Sequence, residues 1–243
     1  VDIDQAIERA KETNQPSMIE IKTVIGYGSP NKGGKSAAHG APIGSDERVL
    51  AFENYGLDSG KEFHVEDSVY DRFNETLSSR SSEKEAEWNK LMEDYKAEHP
   101  ELYKQLKDGI EGTLAEDYAN NLPKYEVGTK KATRGNSSDM IQELSKTVPT
   151  LFGGAADLAS SNKTNVVDED DFSKDNYKGR NIWFGVREFA MAAAANGMAA
   201  HGGLFPYVGT FFVFSDYLKP AVRLSALMGL PVTYVFTHDS IAV

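Results

Sequence analysis

The stretch Asn181 to Ala200, NIWFGVREFAMAAAANGMAA, constrains the fold more than any other part of the chain. A short β-prone run, Ile182 to Phe184, stops at Gly185 and gives way to an Ala-rich segment of strong helix propensity, so a strand passes directly into a buried helix. Glu188 stands where that helix begins. Small residues from Ala190 onward let neighbouring backbone or a flat ligand approach closely, and Phe184, Phe189 and Met191 supply an apolar wall. A carboxyl group there loses water, which favours its acid form unless a partner compensates. The local sequence leaves a simpler role open: a Glu that favours the first turn of a helix or pairs with Arg187.

The rest of the chain repeats the alternation of strand and helix. Asp2 to Thr13 has apolar residues at helical spacing and leads through Asn14-Gln15-Pro16 into a strand at Met18 to Val24. The next segment, Ile25 to Gly44, holds six Gly and two Pro and has no apolar period. A long loop leaving a strand end is where α/β folds place ligands. Its Gly33-Gly34-Lys35-Ser36 copies the end of a P-loop, but the first Gly of that motif falls at Ser29 and Pro42 follows where a helix should run. Backbone amides and His39 could still meet an anion, and the same composition fits an exposed flexible loop.

Helices are expected at Asp46 to Tyr55 and Glu66 to Leu77, and after a Ser78 to Ser82 break. There Trp88, Leu91, Met92 and Tyr95, then Leu102, Tyr103 and Leu106, form stripes that should pack inward. A helix follows at Thr133 to Val148, then the strand Thr150 to Gly153. Asp157, Ser160, Ser161 and Asn162 stand just past its end. Lys163 to Arg180 reads as a hydrophilic surface excursion. A further strand is expected within His201 to Thr210, a helix over Phe211 to Met228, and a last strand at Val232 to Thr237 that delivers His238 and Asp239. Phe211, Phe214 and Tyr217, spaced by three, should lie on one helical stripe, as core or as a wall for a planar ring.

At 243 residues the chain can hold two domains, with a boundary expected near Lys124 to Lys131. A net charge of −11 argues against coating nucleic acid. There is no Cys, so neither disulfides nor a thiolate metal site can form, and the five His show no ligand-like pairing that would predict zinc. No apolar run is long enough to span a bilayer. These features predict a soluble, intracellular protein without membrane contact. The chain starts at Val1 without a Met and stops at Val243 just past a strand, which reads as a piece of a longer polypeptide.

Six blocks occur in one order: KTVIGYGSPNK (Lys22 to Lys32), AHGAPIG (Ala38 to Gly44), GGAADLASSN (Gly153 to Asn162), GVREFAM (Gly185 to Met191), PYVGTFFVFSDY (Pro206 to Tyr217) and THDSI (Thr237 to Ile241). Together they resemble the transketolase family. The resemblance implies an α/β, parallel-sheet, thiamin-diphosphate-binding fold of which this chain carries parts of two domains. Residues 1–123 would be the C-terminal part of the pyrophosphate-binding domain with a helical linker, and residues 124–243 the N-terminal part of the pyrimidine-binding domain. It also implies a cytoplasmic homodimer of the pentose phosphate pathway, with the site at the subunit interface. The reaction would move a two-carbon ketol unit from a ketose phosphate such as xylulose 5-phosphate to an aldose phosphate such as ribose 5-phosphate.

By the same resemblance, Glu188 is the carboxyl that bonds the aminopyrimidine ring nitrogen of the cofactor and so assists loss of the thiazolium C2 proton. Phe214 stacks on the pyrimidine, with Phe211 and Tyr217 completing the wall, and Asp157 lies beside the cofactor. His39 contacts diphosphate and substrate and takes part in proton transfer. Arg134, Ser161 and His238 match the family's substrate-binding positions, where guanidinium, hydroxyl and imidazole suit a sugar phosphate. The Gly-Asp-Gly to Asn segment that holds the family's divalent cation, Mg or Ca, is absent, as are its earlier substrate histidines. Metal ligands are therefore not expected in this chain, and the isolated fragment is expected to be inactive. Two alternatives are a related enzyme such as dihydroxyacetone synthase and a non-catalytic dimerisation module of the same fold.

Overall fold

A computed structural model describes residues 2–239, so Ser240 and Ile241 of the THDSI block lie outside the described residues. The chain divides into two compact units at Ser82/Glu83. In the first, helix α1 (Asp2–Lys11) is followed by an extended segment, then α2 (Ser45–Asn54) and α3 (Asp67–Phe73). The strand expected at Met18 to Val24 does not form. Its β-branched residues favour extension, but a strand exists only by pairing, and no ladder partner is present among the described residues. Met18 is accordingly 94 % exposed.

The expected break at Ser78 to Ser82 is helical instead: one π-turn, Asn74–Ser78, joins α3 to α4 (Ser79–Glu98). The hydroxyls return to the helix rather than competing with it, Ser79 Oγ donating to Glu75 O and Ser82 Oγ to Ser78 O, each at 2.9 Å. In the second unit α4 buries no side chain, and Trp88 and Leu91 of the expected inward stripe are exposed. Helix α5 (Pro100–Glu111) starts with Pro at its first position and ends at Gly112 in the left-handed conformation. Its Leu102 and Leu106 are exposed too.

The core of the second unit is a parallel sheet of β1 (Leu151–Ala155), β2 (Asn181–Trp183), β3 (Phe205–Phe211) and β4 (Thr233–Thr237), in the order β2-β1-β3-β4. Alternate residues of β3 serve two layers. Val208 packs with Met191, Ala192 and Ala195 of α8 (Glu188–His201) and Leu218 and Ala221 of α9 (Ser215–Met228). Tyr207 packs with Val166 and with Ile141 of α6 (Thr133–Thr147). Strand β1 lets its neighbours in closely, since a Cβ on Gly154 would lie 1.9 Å from the Ile182 carbonyl oxygen.

Two corrections bear on the site. The helix expected from Phe211 starts only at Ser215, because Phe211 ends β3 and Phe212–Phe214 form a 3-10 turn. The excursion Lys163 to Arg180 is only partly a surface feature: Thr164 and Val166 are buried. Asn181 pins it, accepting from Val166 N and donating to Val166 O and Glu169 O, all at 2.9 Å. Arg180 donates to Ser145 O and Val148 O, satisfying carbonyls that the end of α6 leaves open, and to Leu151 O at the start of β1. No helix among the described residues is long and apolar enough to cross a membrane.

Candidate functional site

The chain runs from β1 to β2 on one side and then from β2 through α8 back across to β3 on the other side of β1, so the strand order switches between β1 and β3. Open α/β sheets bind ligands beyond the carboxyl ends of the strands at such a switch. A cleft of about 340 Å³ lies there, lined by Ala156, Asp157 and Leu158 after β1, Val186 and Glu188 after β2, and Phe214 and Tyr217 after β3. Glu188 is the first residue of α8 and is 9 % exposed. No hydrogen bond or ion pair engages its carboxylate among the described residues. Arg187, the simple partner suggested by sequence, turns away and donates from Nη1 to Phe184 O at 2.9 Å. Phe189 is exposed and takes no part in the wall expected of it, because the next helical residue points about 100° away. Asp157 reaches the cleft through a left-handed backbone, φ 55°, uncommon for a residue other than Gly.

The three aromatics do form a row, although only Tyr217 is in an α-helix. Tyr217 stacks on Phe214 with centroids 6.1 Å apart, and Phe214 stacks on Phe211 at 6.1 Å. Phe211 meets the His238 ring edge-on at 4.7 Å. The row thus joins the Glu188 cleft to a second one of about 520 Å³ that contains Arg134 and His238. Arg134 Nη1 approaches His238 Nε2 at 2.6 Å and donates to Ser161 O at 3.3 Å. Arg134, Ser161 and His238 therefore meet in space, from the start of α6, from α7 (Ala159–Asn162) and from the end of β4. Arg134 Nε and Nη2 make no hydrogen bond among the described residues, which leaves a fork suited to an anion.

His39 lies in the first unit, exposed, just after the 3-10 turn Ser36–Ala38. The loop leading to it is not the unanchored segment its composition also allowed. Buried Glu47 of α2 accepts from Ser29 Oγ, from Asn31 N at 2.8 Å and from Asn31 Nδ2 at 2.9 Å, and Lys32 Nζ donates to Ile43 O at 2.7 Å. The Ser29 hydroxyl first, and then the Asn31 bonds, hold the Glu47 carboxyl at about 2, against an ordinary 4.5. Sequence reading missed Glu47, since a Glu in a first helical turn carries no local mark of a distant loop. It also gave no separate role to Asn162 or Thr237, although both sit inside the quoted blocks. Among the described residues no three His, Asp or Glu side chains converge as a metal site.

Two family descriptions match complementary spans: "Transketolase, thiamine diphosphate binding domain" over residues 1–115 and "Transketolase, pyrimidine binding domain" over residues 129–243. The chain belongs to the transketolase family. A transketolase of Staphylococcus aureus strain MRSA252 is 57 % identical over 242 residues, and one of Halalkalibacterium halodurans is 56 % identical over the same length. Each alignment covers 100 % of this chain but only 37 % and 36 % of the relative, so the chain spans little more than a third of the length of these transketolases. The transketolase of Pichia stipitis in complex with sedoheptulose 7-phosphate superposes with a TM-score of 0.83 at 38 % identity, over 98 % of this chain and 36 % of that one. The Campylobacter jejuni transketolase gives 0.79 at 36 % identity, over 99 % and 36 %.

Proposed function

We propose that this chain carries the pyrimidine end of a thiamin-diphosphate site and part of the substrate channel of a transketolase. The full-length enzyme transfers a two-carbon ketol unit from a ketose phosphate to an aldose phosphate. The observation that carries the reading is Glu188: a buried residue whose carboxylate has no protein partner among the described residues, at a switch-point cleft walled by stacked aromatics. Such a cleft fits a flat heteroaromatic ring, with Phe214 against its face, Glu188 at a ring nitrogen and Asp157 beside it. Thiamin diphosphate supplies, when bound, a carbon acid that becomes the electron sink for C–C cleavage.

The chain's own residues have separable tasks. Glu188 holds or shares a proton at the ring nitrogen, with Ala156, Val186 and Leu158 as its apolar neighbours in the cleft. Arg134 grips the phosphate of the sugar through its free fork, with Ser161 and His238 completing the anion contacts. The Pichia stipitis complex with a ketose phosphate supports this substrate class. His39 serves diphosphate and substrate from the first domain. On this reading the family's domain boundary lies near residue 124, and the gap between the two matched spans supports it. The divalent cation, Mg or Ca, is held by sequence outside this chain. The active form is a cytoplasmic homodimer with its site at the subunit interface.

The test is ketol transfer from xylulose 5-phosphate to ribose 5-phosphate by the full-length protein, with and without added thiamin diphosphate and Mg²⁺. Transfer that depends on the cofactor is expected. No transfer by cofactor-saturated protein overturns the reading, and preference for an acceptor other than an aldose phosphate redirects it to a dihydroxyacetone synthase.

A further inference from the structure

We infer that Asn162 and Thr237 form a positioning pair that holds Ser161 and His238 in register with Arg134. The inference rests on reading that cluster as the sugar-phosphate site. Asn162 closes α7 and is 0 % exposed, and Thr237 closes β4 and is buried. Thr237 Oγ1 donates to Asn162 Oδ1 at 2.7 Å, linking positions 75 residues apart. Each residue is the chain neighbour of a cluster member, Ser161 before Asn162 and His238 after Thr237. Arg134 Nη1 bonds both of those members from the other side. One buried bond thus closes a ring whose opposite edge is the guanidinium.

Two further observations separate this role from ordinary packing. Asn162 Nδ2 is buried and makes no hydrogen bond among the described residues. An unmet buried donor carries a free-energy cost, so an apolar residue of similar size would serve a merely structural position better. What Asn162 supplies is the one acceptor that the Thr237 hydroxyl uses among the described residues. At the other partner, sheet pairing runs out at Phe211↔Thr237, the last rung between β3 and β4. His238 follows immediately, exposed and outside the ladder, so the side-chain bond on Thr237 is the nearest restraint on where its backbone leaves the sheet. Thr237 lines the Arg134–His238 cleft and Asn162 does not, and the bond between them acts on the cluster through the neighbours Ser161 and His238.

In the full-length enzyme, Thr237→Val and Asn162→Ala should each raise KM for a ketose phosphate about tenfold, the effect of one well-placed hydrogen bond. kcat, thiamin diphosphate affinity and KM for the same ketose without its phosphate should change by less than about twofold. Thr237→Ser, which keeps the hydroxyl, should stay near the wild type, and the double variant Asn162→Ala/Thr237→Val should be no worse than the poorer single. Equal losses on the phosphorylated and unphosphorylated ketose, additive losses in the double variant, or a lower melting temperature with unchanged KM would each overturn the pair. Arg134→Ala is the control. If it leaves KM for the ketose phosphate unchanged, the site reading fails and the pair with it. If it raises KM while the pair variants do not, only the pair fails.

Discussion

Replacing Glu188 by Gln in the full-length enzyme should move stability and activity in different directions. The side chain is 9 % exposed, and the carboxylate has no hydrogen-bond or ion-pair partner among the described residues, so the change breaks no protein contact there. It removes a charge that no protein group balances among the described residues while keeping shape, and the cofactor-free enzyme should melt at the same temperature or slightly higher. With thiamin diphosphate present the balance reverses, because Gln cannot exchange a proton with the ring nitrogen. One charge-assisted hydrogen bond contributes about 1.5–3 kcal/mol, so turnover should fall by roughly 10- to 150-fold. Glu188→Ala, which also opens the cleft, should weaken cofactor binding as well. The assays are calorimetric melting of the cofactor-free protein and steady-state ketol transfer at saturating cofactor. Unchanged turnover in Glu188→Gln would remove the residue from the chemistry. A melting temperature that drops in proportion to the lost activity would make it a structural acid of α8.

Arg134→Lys should fail to restore the ketose-phosphate KM lost in Arg134→Ala, because an ammonium cannot reproduce the Nε/Nη2 fork; recovery by Lys, read in the same kinetics, would argue for a simple charge effect. The folded-state carboxyl of Glu47 titrates at about 2 against an ordinary 4.5, so its bonds to Ser29 and Asn31 contribute stability that is fully present above about pH 4.5 and lost as pH falls towards 2. Melting curves between pH 5 and 2 should therefore fall less steeply for Glu47→Gln than for the wild type. Gly154→Ala would set a Cβ 1.9 Å from Ile182 O, and a loss of about 1–3 kcal/mol in denaturant unfolding is expected as β1 and β2 are pushed apart. The 243-residue chain alone should show no ketol transfer in a coupled assay, since it spans only 37 % of the Staphylococcus aureus transketolase it matches.

The parallel sheet was legible because its strands are short apolar runs, and β2 and β3 pass into long helical patterns, so local propensity and tertiary packing agree. Where the two part company, the reading failed. Met18 to Val24 has the composition of a strand but no partner among the described residues, and Trp88 and Leu91 keep helical spacing without a covering surface. Periodicity reports which face could be buried; what buries it is a separate fact. Glu47 was invisible for a related reason, since its bonds to Ser29 and Asn31 are set by the fold of Ile25 to Gly44 and no spacing encodes that.

The aromatic row shows how a spacing can hold through an element other than the expected one. Phe211, Phe214 and Tyr217 were placed on one α-helical stripe, yet the first ends a strand, the second closes a 3-10 turn and only the third is α-helical. The stacking survives because a 3-10 turn has about 3 residues per turn and eclipses positions i and i+3, whereas an α-helix, at about 3.6, rotates them apart. The interplanar angles follow that order, 13° for Phe211 and Phe214 across the turn and 25° for Phe214 and Tyr217 at the helix start. Spacing by three is thus better satisfied by the observed element than by the expected one. Nothing comparable marks Arg134 and His238, which are 104 positions apart and meet only because β4 lies beside β3. Sequence can name such residues one by one; their common register depends on contacts such as Asn162 to Thr237 that exist only once the sheet has formed.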